Sequence, residues 1–302
     1  MQVDTIMKQL LFNAVYIETQ VPDGTSSGTG FIYNAAIGTD SILPTLVTNK
    51  HVIAGASQLK IRLIGAIPPS NDRPDLGNPI NVLYRSPESL WTEHPDPEVD
   101  VAAMFLGPTL NDIEKQGRSA FFRMGGRELY PNDALLGDLD AIEDVLFIGY
   151  PNGIFDSVNH TPIDRRGVTA TPVQLDWSGT PTFLIDALVF PGSSGSPVFF
   201  IQQGLVQQDG NITIGAPPRI LLLGIVASVM IQPTTGAIVT RSAGKRVAVN
   251  QMIDLGVVYN WRAIEETVAA LCREHQVDRS VNLAEQQSQP PAPPADVDPT
   301  NK

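Results

Sequence analysis

The chain has 302 residues, 42% hydrophobic and 17% charged, which is ample material for a sizeable core in one or two domains. Its formal net charge of −12, with no basic stripe to oppose it, argues against nucleic-acid binding, and the lack of any run of about 18 apolar residues argues against a spanning helix. Cys272 is the single cysteine, so no intramolecular disulfide can form and a reducing compartment suits the chain.

At the front, Met1-Gln2-Val3-Asp4 carries an acid where a signal peptide has basic residues, and Lys8, Gln9 and Asn13 interrupt the apolar stretch, so a cytoplasmic location is expected. Thr5 to Leu11 reads as a short helix. From there, 25 glycines and 25 prolines punctuate many short β-rich runs, among them Ala14 to Thr19, Gly30 to Tyr33, Leu59 to Ile64, Val145 to Ile148 and Ile220 to Met230. Ala66 to Pro79 reads as a surface loop. Pro108 to Asp140 is a long connection containing Phe121-Phe122 and Gly125-Gly126, and loops of that length tend to be functional, as a wall of a cleft or a partner site. Near the back, Trp261, Ile264, Val268 and Leu271 recur three or four apart, one apolar stripe on a helix over 260–274 capped by Asn260. Beyond Gln276 the chain turns Gln/Pro/Ala/Asp-rich, and residues 277–302 are expected to be disordered.

Three segments carry chemistry. Pro191-Gly192-Ser193-Ser194-Gly195-Ser196-Pro197 lies between the apolar stretches Leu184 to Phe190 and Val198 to Ile201. A serine hydroxyl attacks a carbonyl when it is exposed on a fixed turn, beside a base, with backbone N–H groups aimed at the developing oxyanion. Glycines on either side of Ser194 permit that shape, and the N–H groups of Gly192 and Ser194 are the expected donors. The plainer reading is a Gly/Ser-rich hairpin loop. His51 closes the apolar strand Thr45 to Thr48, and Asp100 opens the apolar run Val101 to Leu106. An aspartate so placed needs a partner, and a histidine supplies it. Read singly, His51 is an ordinary strand-end histidine, Asp100 a cap and Ser194 a turn residue. Ser193 and Ser196 are the rival nucleophiles. His94 sits in a proline-rich acidic loop that reads as exposed, His160 in a polar turn and His275 at the end of a surface helix. No two histidines lie at ligand spacing, and Gly28-Thr29-Gly30 lacks the third glycine of a dinucleotide fingerprint, so neither metal nor cofactor is expected.

Taken together, these segments resemble the chymotrypsin-like (trypsin-fold) serine proteases, in particular their disulfide-free bacterial HtrA/Deg-type and glutamyl-endopeptidase-type branches. The order His51, Asp100, Ser194 is that of the chymotrypsin template. Ser27 to Ile32 looks like the family's early strand, Gly149 to Gly153 and Arg166 to Ala170 like strand ends of its second barrel, Asp186 to Gly195 like the HtrA nucleophile segment, and Leu223 to Val226 like the strand that follows. The resemblance spans roughly residues 14–260. It implies an all-β fold of two six-stranded antiparallel barrels with a C-terminal helix. The parts would be an N-terminal extension (1–13), a first barrel (14–107), a connection (108–140), a second barrel (141–258), a helix (259–276) and a tail (277–302).

The resemblance also implies roles. His51, Asp100 and Ser194 would hydrolyse peptide bonds through an acyl-enzyme, with Gly192 and Ser194 holding the oxyanion and the substrate adding as an edge strand. Leu188, six residues before the nucleophile, would form the base of the specificity pocket, with Val189, Ala227, Ser228 and Val229 as walls, favouring small or medium apolar residues. Ser193 stands where secreted members carry the aspartate that pairs with a freed N-terminal amine, so zymogen cleavage cannot switch this chain, and a partner or effector is expected to regulate it. No peptide-binding domain of the HtrA kind is expected to follow. Two other readings stay open: a protease-fold module whose cleft or 108–140 segment binds a partner without turnover, and a protease of a bacterial or phage response system triggered against one target.

Overall fold

The computed structural model describes residues 1–37, 42–208, 211–239 and 244–279, with backbone alone for 203–208, 211–217, 231–239 and 244–252. The expected disordered tail therefore lies almost wholly outside the described residues.

The N-terminal half opens with the helix α1 (Ile6–Leu10), capped by the Thr5 side chain accepting from the Lys8 N–H. The strands β1 (Ala14–Val21), β2 (Gly24–Asn34) and β3 (Pro44–Thr48) follow, then the single turn α2 (Lys50–Ile53), β4 (Gln58–Ala66), β5 (Pro74–Arg85), β6 (Thr92–Glu93) and β7 (Ala102–Phe105). The connection contributes α3 (Gly107–Lys115), β8 (Ala120–Phe121), β9 (Gly125–Gly126) and α4 (Asp133–Asp138). These strands form one nine-stranded sheet in the order β5-β4-β1-β2-β3-β7-β6, with β8 added to β4 and β9 added in parallel to β2. No ladder closes this sheet into a barrel among the described residues. Two readings of the sequence change here. The 108–140 connection is partly woven into the sheet, and the 66–79 loop is a strand from Pro74 onward, because Pro74 and Asp75 pair with Ala66 and Gly65.

The C-terminal half is a closed six-stranded barrel of β10 (Asp144–Gly149), β11 (Ile163–Thr169), β12 (Thr182–Asp186), β13 (Pro197–Gln208), β14 (Asn211–Val239) and β15 (Gly244–Asn260). The last three strands run on past the barrel as two long hairpins, whose ladders reach Gln208↔Asn211 and Val239↔Gly244. The helix α5 (Trp261–Glu274) ends the fold, with the Asn260 side chain accepting from the Arg262 N–H.

Inside the first sheet, Ile17, Ile32, Leu46, Leu59 and Ile61 make one core; inside the barrel, Phe147, Phe183, Ile185, Val198 and Leu223 make another. A third core lies between the halves. Ala263, Ile264, Val268 and Leu271 of α5 pack there against Phe31 and Val47 of the sheet and Phe199 and Leu222 of the barrel. The apolar stripe of this helix thus joins the two halves, where burial of apolar surface stabilises their mutual placement.

Candidate active site

Register brings the acid to the base. β3 and β7 pair antiparallel with Thr48 opposite Ala102, so the residues just beyond them, His51 and Asp100, leave the sheet side by side. Asn49, fully buried, donates its Nδ2 to the Asp100 carbonyl at 2.6 Å. The Asp100 carboxylate then uses both oxygens on His51: Oδ1 accepts the backbone N–H at 3.0 Å and Oδ2 faces Nδ1 at 2.5 Å. A carboxylate can only accept, so Nδ1 carries the proton and Nε2 offers its lone pair to the cleft.

The loop that carries Asp100 is held from two sides. Lys50 donates Nζ to the carbonyls of His94, Asp96 and Pro97, and the Tyr259 hydroxyl donates to the Glu98 carbonyl at 3.0 Å. From α5, Glu266 and Glu274 reach His94 and Thr92. His94 is 6% exposed, against the expectation of a solvated loop. Its Nδ1 accepts the Asp96 N–H at 2.9 Å, which leaves the Nε2–H to donate to Glu266 at 3.0 Å. Those two bonds satisfy the ring without water, so the histidine is buried as a structural tie.

The segment Pro191 to Pro197 forms a tight turn after β12. Gly192 and Gly195 have φ of 84° and 89°, a region costly for residues with a Cβ. A Cβ on Gly192 would also meet the Tyr150 carbonyl oxygen at 2.7 Å and the Asn152 nitrogen at 2.8 Å. Among the described residues, the N–H groups of Gly192 and Ser194 have no internal acceptor. The Ser194 hydroxyl donates to the Ala227 carbonyl at 2.8 Å. Ala227 sits at a bulge, since β14–β15 pairing steps from Val226↔Val258 to Ser228↔Val257. On its other side β14 has lost β13, whose ladder begins at Pro197↔Ile225, so Ala227 to Val229 present an open strand edge.

These groups share one open cleft of about 400 Å³, lined by Ser26, Ser27, His51, Val52, Val189 to Gly192, Ser194 and Ala227 to Val229. Leu188, expected at the pocket base, is not among them and is 54% exposed. The reason is a three-residue turn centred on Leu188, closed by the Val189 N–H donating to the Ala187 carbonyl at 2.8 Å. Ala187 and Val189 both turn inward, at 6% and 3% exposure, so the residue between them faces out. Val189 packs so closely on Gly256 that a Cβ there would lie 2.6 Å from it. Ser193 and Ser196 are buried, each with its hydroxyl unpartnered. His160 lies away from the cleft, its ring tilted against Phe155, and His275 is exposed at the end of α5. Among the described residues no cluster of three His, Cys, Asp or Glu could hold a metal ion, and no helix is long and apolar enough to cross a membrane.

Reading the sequence alone passed over Asn49, Thr29 and Asn152, which hold the backbone carbonyls of Asp100, Gly192 and Pro191. Their only signal was position: Asn49 lies two residues before His51, Thr29 between two glycines, and Asn152 in Pro151-Asn152-Gly153.

Against known proteins, the family model described as a trypsin-like peptidase domain matches residues 28–206, well over half the chain and inclusive of His51, Asp100 and Ser194. No curated protein matches. Among solved structures, the chain is similar to the active form of the Rv3671c protease from M. tuberculosis (16% identity, TM-score 0.42, covering 89% of this chain and 84% of that one). It is also similar to the HtrA-type protease AlgW with tripeptide (18% identity, TM-score 0.42, 89% and 63%), and to a serine endoprotease from Yersinia pestis (15% identity, TM-score 0.46, 91% and 69%). The chain belongs to the trypsin-like peptidase domain family and is a serine protease hydrolase.

Proposed function

We propose that the chain is a serine endopeptidase that works through a His51–Asp100–Ser194 triad. The observation that carries this reading is the convergence in one cleft of an oriented imidazole, a serine and two unused N–H groups. Ser194 Oγ attacks the scissile carbonyl carbon while His51 Nε2 takes its proton. The carbonyl electrons move onto oxygen, where the Gly192 and Ser194 N–H groups hold the charge, and collapse expels the amine, which receives the proton from His51. Water, deprotonated by His51, then cleaves the acyl-enzyme. Asp100 keeps the imidazole in its tautomer and stabilises the cation that forms.

The position of the Ser194 hydroxyl supports a particular first step. It donates to the Ala227 carbonyl, the acceptor on the open edge where a substrate strand would place its own N–H. Substrate addition along Ala227 to Val229 takes that acceptor and releases the hydroxyl to His51. A shallow pocket walled by Val189 and Val229 favours small or medium apolar residues before the scissile bond, in protein or peptide substrates. We place this activity in the cytoplasm. With Ser193 in place of a zymogen aspartate, control by a partner would act on substrate access or on this serine.

A fluorophosphonate probe tests the reading, with the adduct mapped by mass spectrometry and a peptide library profiled alongside. Labelling of Ser194, lost in Ser194→Ala and His51→Ala, is the expected result. A folded chain that labels nowhere would point to the non-catalytic binding module, and strong cleavage after Arg, Lys or Glu would overturn the pocket assignment.

A further inference from the structure

An oxyanion hole works only if its loop is held with both N–H groups facing the substrate, since a flipped peptide puts a carbonyl there instead. At the position that anchors this loop in zymogen-type members, the chain offers only Ser193, buried to 1% exposure with its hydroxyl unpartnered. Another device must hold the loop, and the hydrogen bonds reveal it carbonyl by carbonyl.

The Pro191 carbonyl accepts the Asn152 N–H at 2.6 Å and the Gly192 carbonyl accepts the Thr29 hydroxyl at 2.9 Å. Next, the Ser193 carbonyl accepts the Ser196 N–H at 3.0 Å and the Ser194 carbonyl accepts the Thr29 N–H at 2.9 Å. Four consecutive carbonyls are therefore pinned. A trans peptide holds its C=O and N–H on opposite sides. Fixing the Pro191 carbonyl on Asn152 turns the Gly192 N–H away from it, and fixing the Ser193 carbonyl on Ser196 does the same for the Ser194 N–H; the Thr29 hydroxyl fixes the peptide between those two, whose own Ser193 N–H donates to the Phe190 carbonyl at 3.0 Å.

Thr29 supplies two of the four anchors and is itself over-determined. It is fully buried, its hydroxyl accepts the Tyr150 N–H at 2.9 Å, and its carbonyl accepts the Thr48 hydroxyl at 2.7 Å. One side chain from the sheet thereby joins the barrel segment at Tyr150 to the nucleophile loop. Asn152, the other outside anchor, has φ of 51°, a strained value that persists where surroundings enforce it.

We infer that the Thr29 hydroxyl is a positioning residue that, with the Asn152 N–H, holds the Pro191–Ser194 loop in its oxyanion-binding form within this single chain. The inference rests on the serine endopeptidase reading and adds that no outside partner is needed to build the hole.

The test compares Thr29→Val, which keeps the shape and removes the hydroxyl, with Thr29→Ser, which keeps the hydroxyl. In Thr29→Val, kcat and the rate of fluorophosphonate acylation should fall by about 10- to 100-fold, part of the 10²–10³ that one oxyanion donor supplies. KM should change by less than about twofold. Thr29→Ser should stay within about threefold of the wild type. A folded Thr29→Val with unaltered kcat would overturn the inference, as would a Thr29→Ser as impaired as Thr29→Val. Thr29→Ala, which crowds nothing, replaces the valine variant if that one does not fold. Hydrogen exchange of the 190–196 peptide needs no turnover. Faster exchange in Thr29→Val supports the brace and unchanged exchange overturns it, whether or not the wild type labels at Ser194, so the two readings fail separately.

Discussion

Replacing Asp100 by asparagine asks how much of the proposed catalysis depends on the two bonds between this carboxylate and His51. Both oxygens are used, Oδ1 by the His51 N–H at 3.0 Å and Oδ2 by Nδ1 at 2.5 Å. An amide has one acceptor oxygen and one donor group. The backbone N–H can only donate, so the oxygen stays with it and the NH₂ turns toward Nδ1. The ring must then accept at Nδ1 and carry its proton on Nε2, where it cannot take one from serine. The opposite amide rotamer sets NH₂ against N–H and forfeits a bond of about 1.5–3 kcal/mol, which alone makes the competent tautomer scarce by roughly 10- to 100-fold. Loss of the negative charge beside the developing imidazolium removes a charge-assisted contact of similar size. The product is a fall in kcat of about 10²- to 10⁴-fold, whose upper end is the loss seen in the template triad. The His51 and Asp100 side chains are 50% and 27% exposed, so unfolding in urea should shift by no more than about 1 kcal/mol. The assay is steady-state cleavage of an apolar peptide by the variant, with active sites counted by fluorophosphonate titration. A kcat within tenfold of the wild type would refute the reasoning, because it would mean that His51 is oriented without the carboxylate.

Two further substitutions separate site from scaffold. Leu188→Asp would confer cleavage after Arg or Lys if residue 188 formed the pocket base; since this side chain faces solvent, the peptide-library profile should stay unchanged and stability should move by about 0.5 kcal/mol or less. Ile264→Ala truncates a fully buried side chain of α5 in the core between the two halves, and should cost about 2–5 kcal/mol in urea unfolding. A loss below 1 kcal/mol would show that α5 does not join the halves.

The residues proposed to carry the chemistry stand out in the sequence by itself. A serine between glycines, a histidine ending an apolar strand and an aspartate opening another are local patterns, and local pattern also gave the short helix at the front, the Asn260 cap, the stripe on α5 and most of the strands. What it left open depended on direction and register, which are properties of pairing between distant segments. Leu188 faces outward because its neighbours Ala187 and Val189 are claimed by the barrel core, and nothing in the residue type announces that. His94 is buried because Glu266, far along the chain, reaches across to it. The joining of the first sheet by 120–126 follows from ladders to β4 and β2, and Pro74 is a strand residue because Ala66 lies opposite. Thr29 is the sharpest case: a threonine between two glycines reads as strand, and only folding carries its hydroxyl to Gly192 and its N–H to Ser194. Side-chain chemistry is written residue by residue, whereas the orientation of a peptide carbonyl is decided by whichever donor the tertiary structure brings to it.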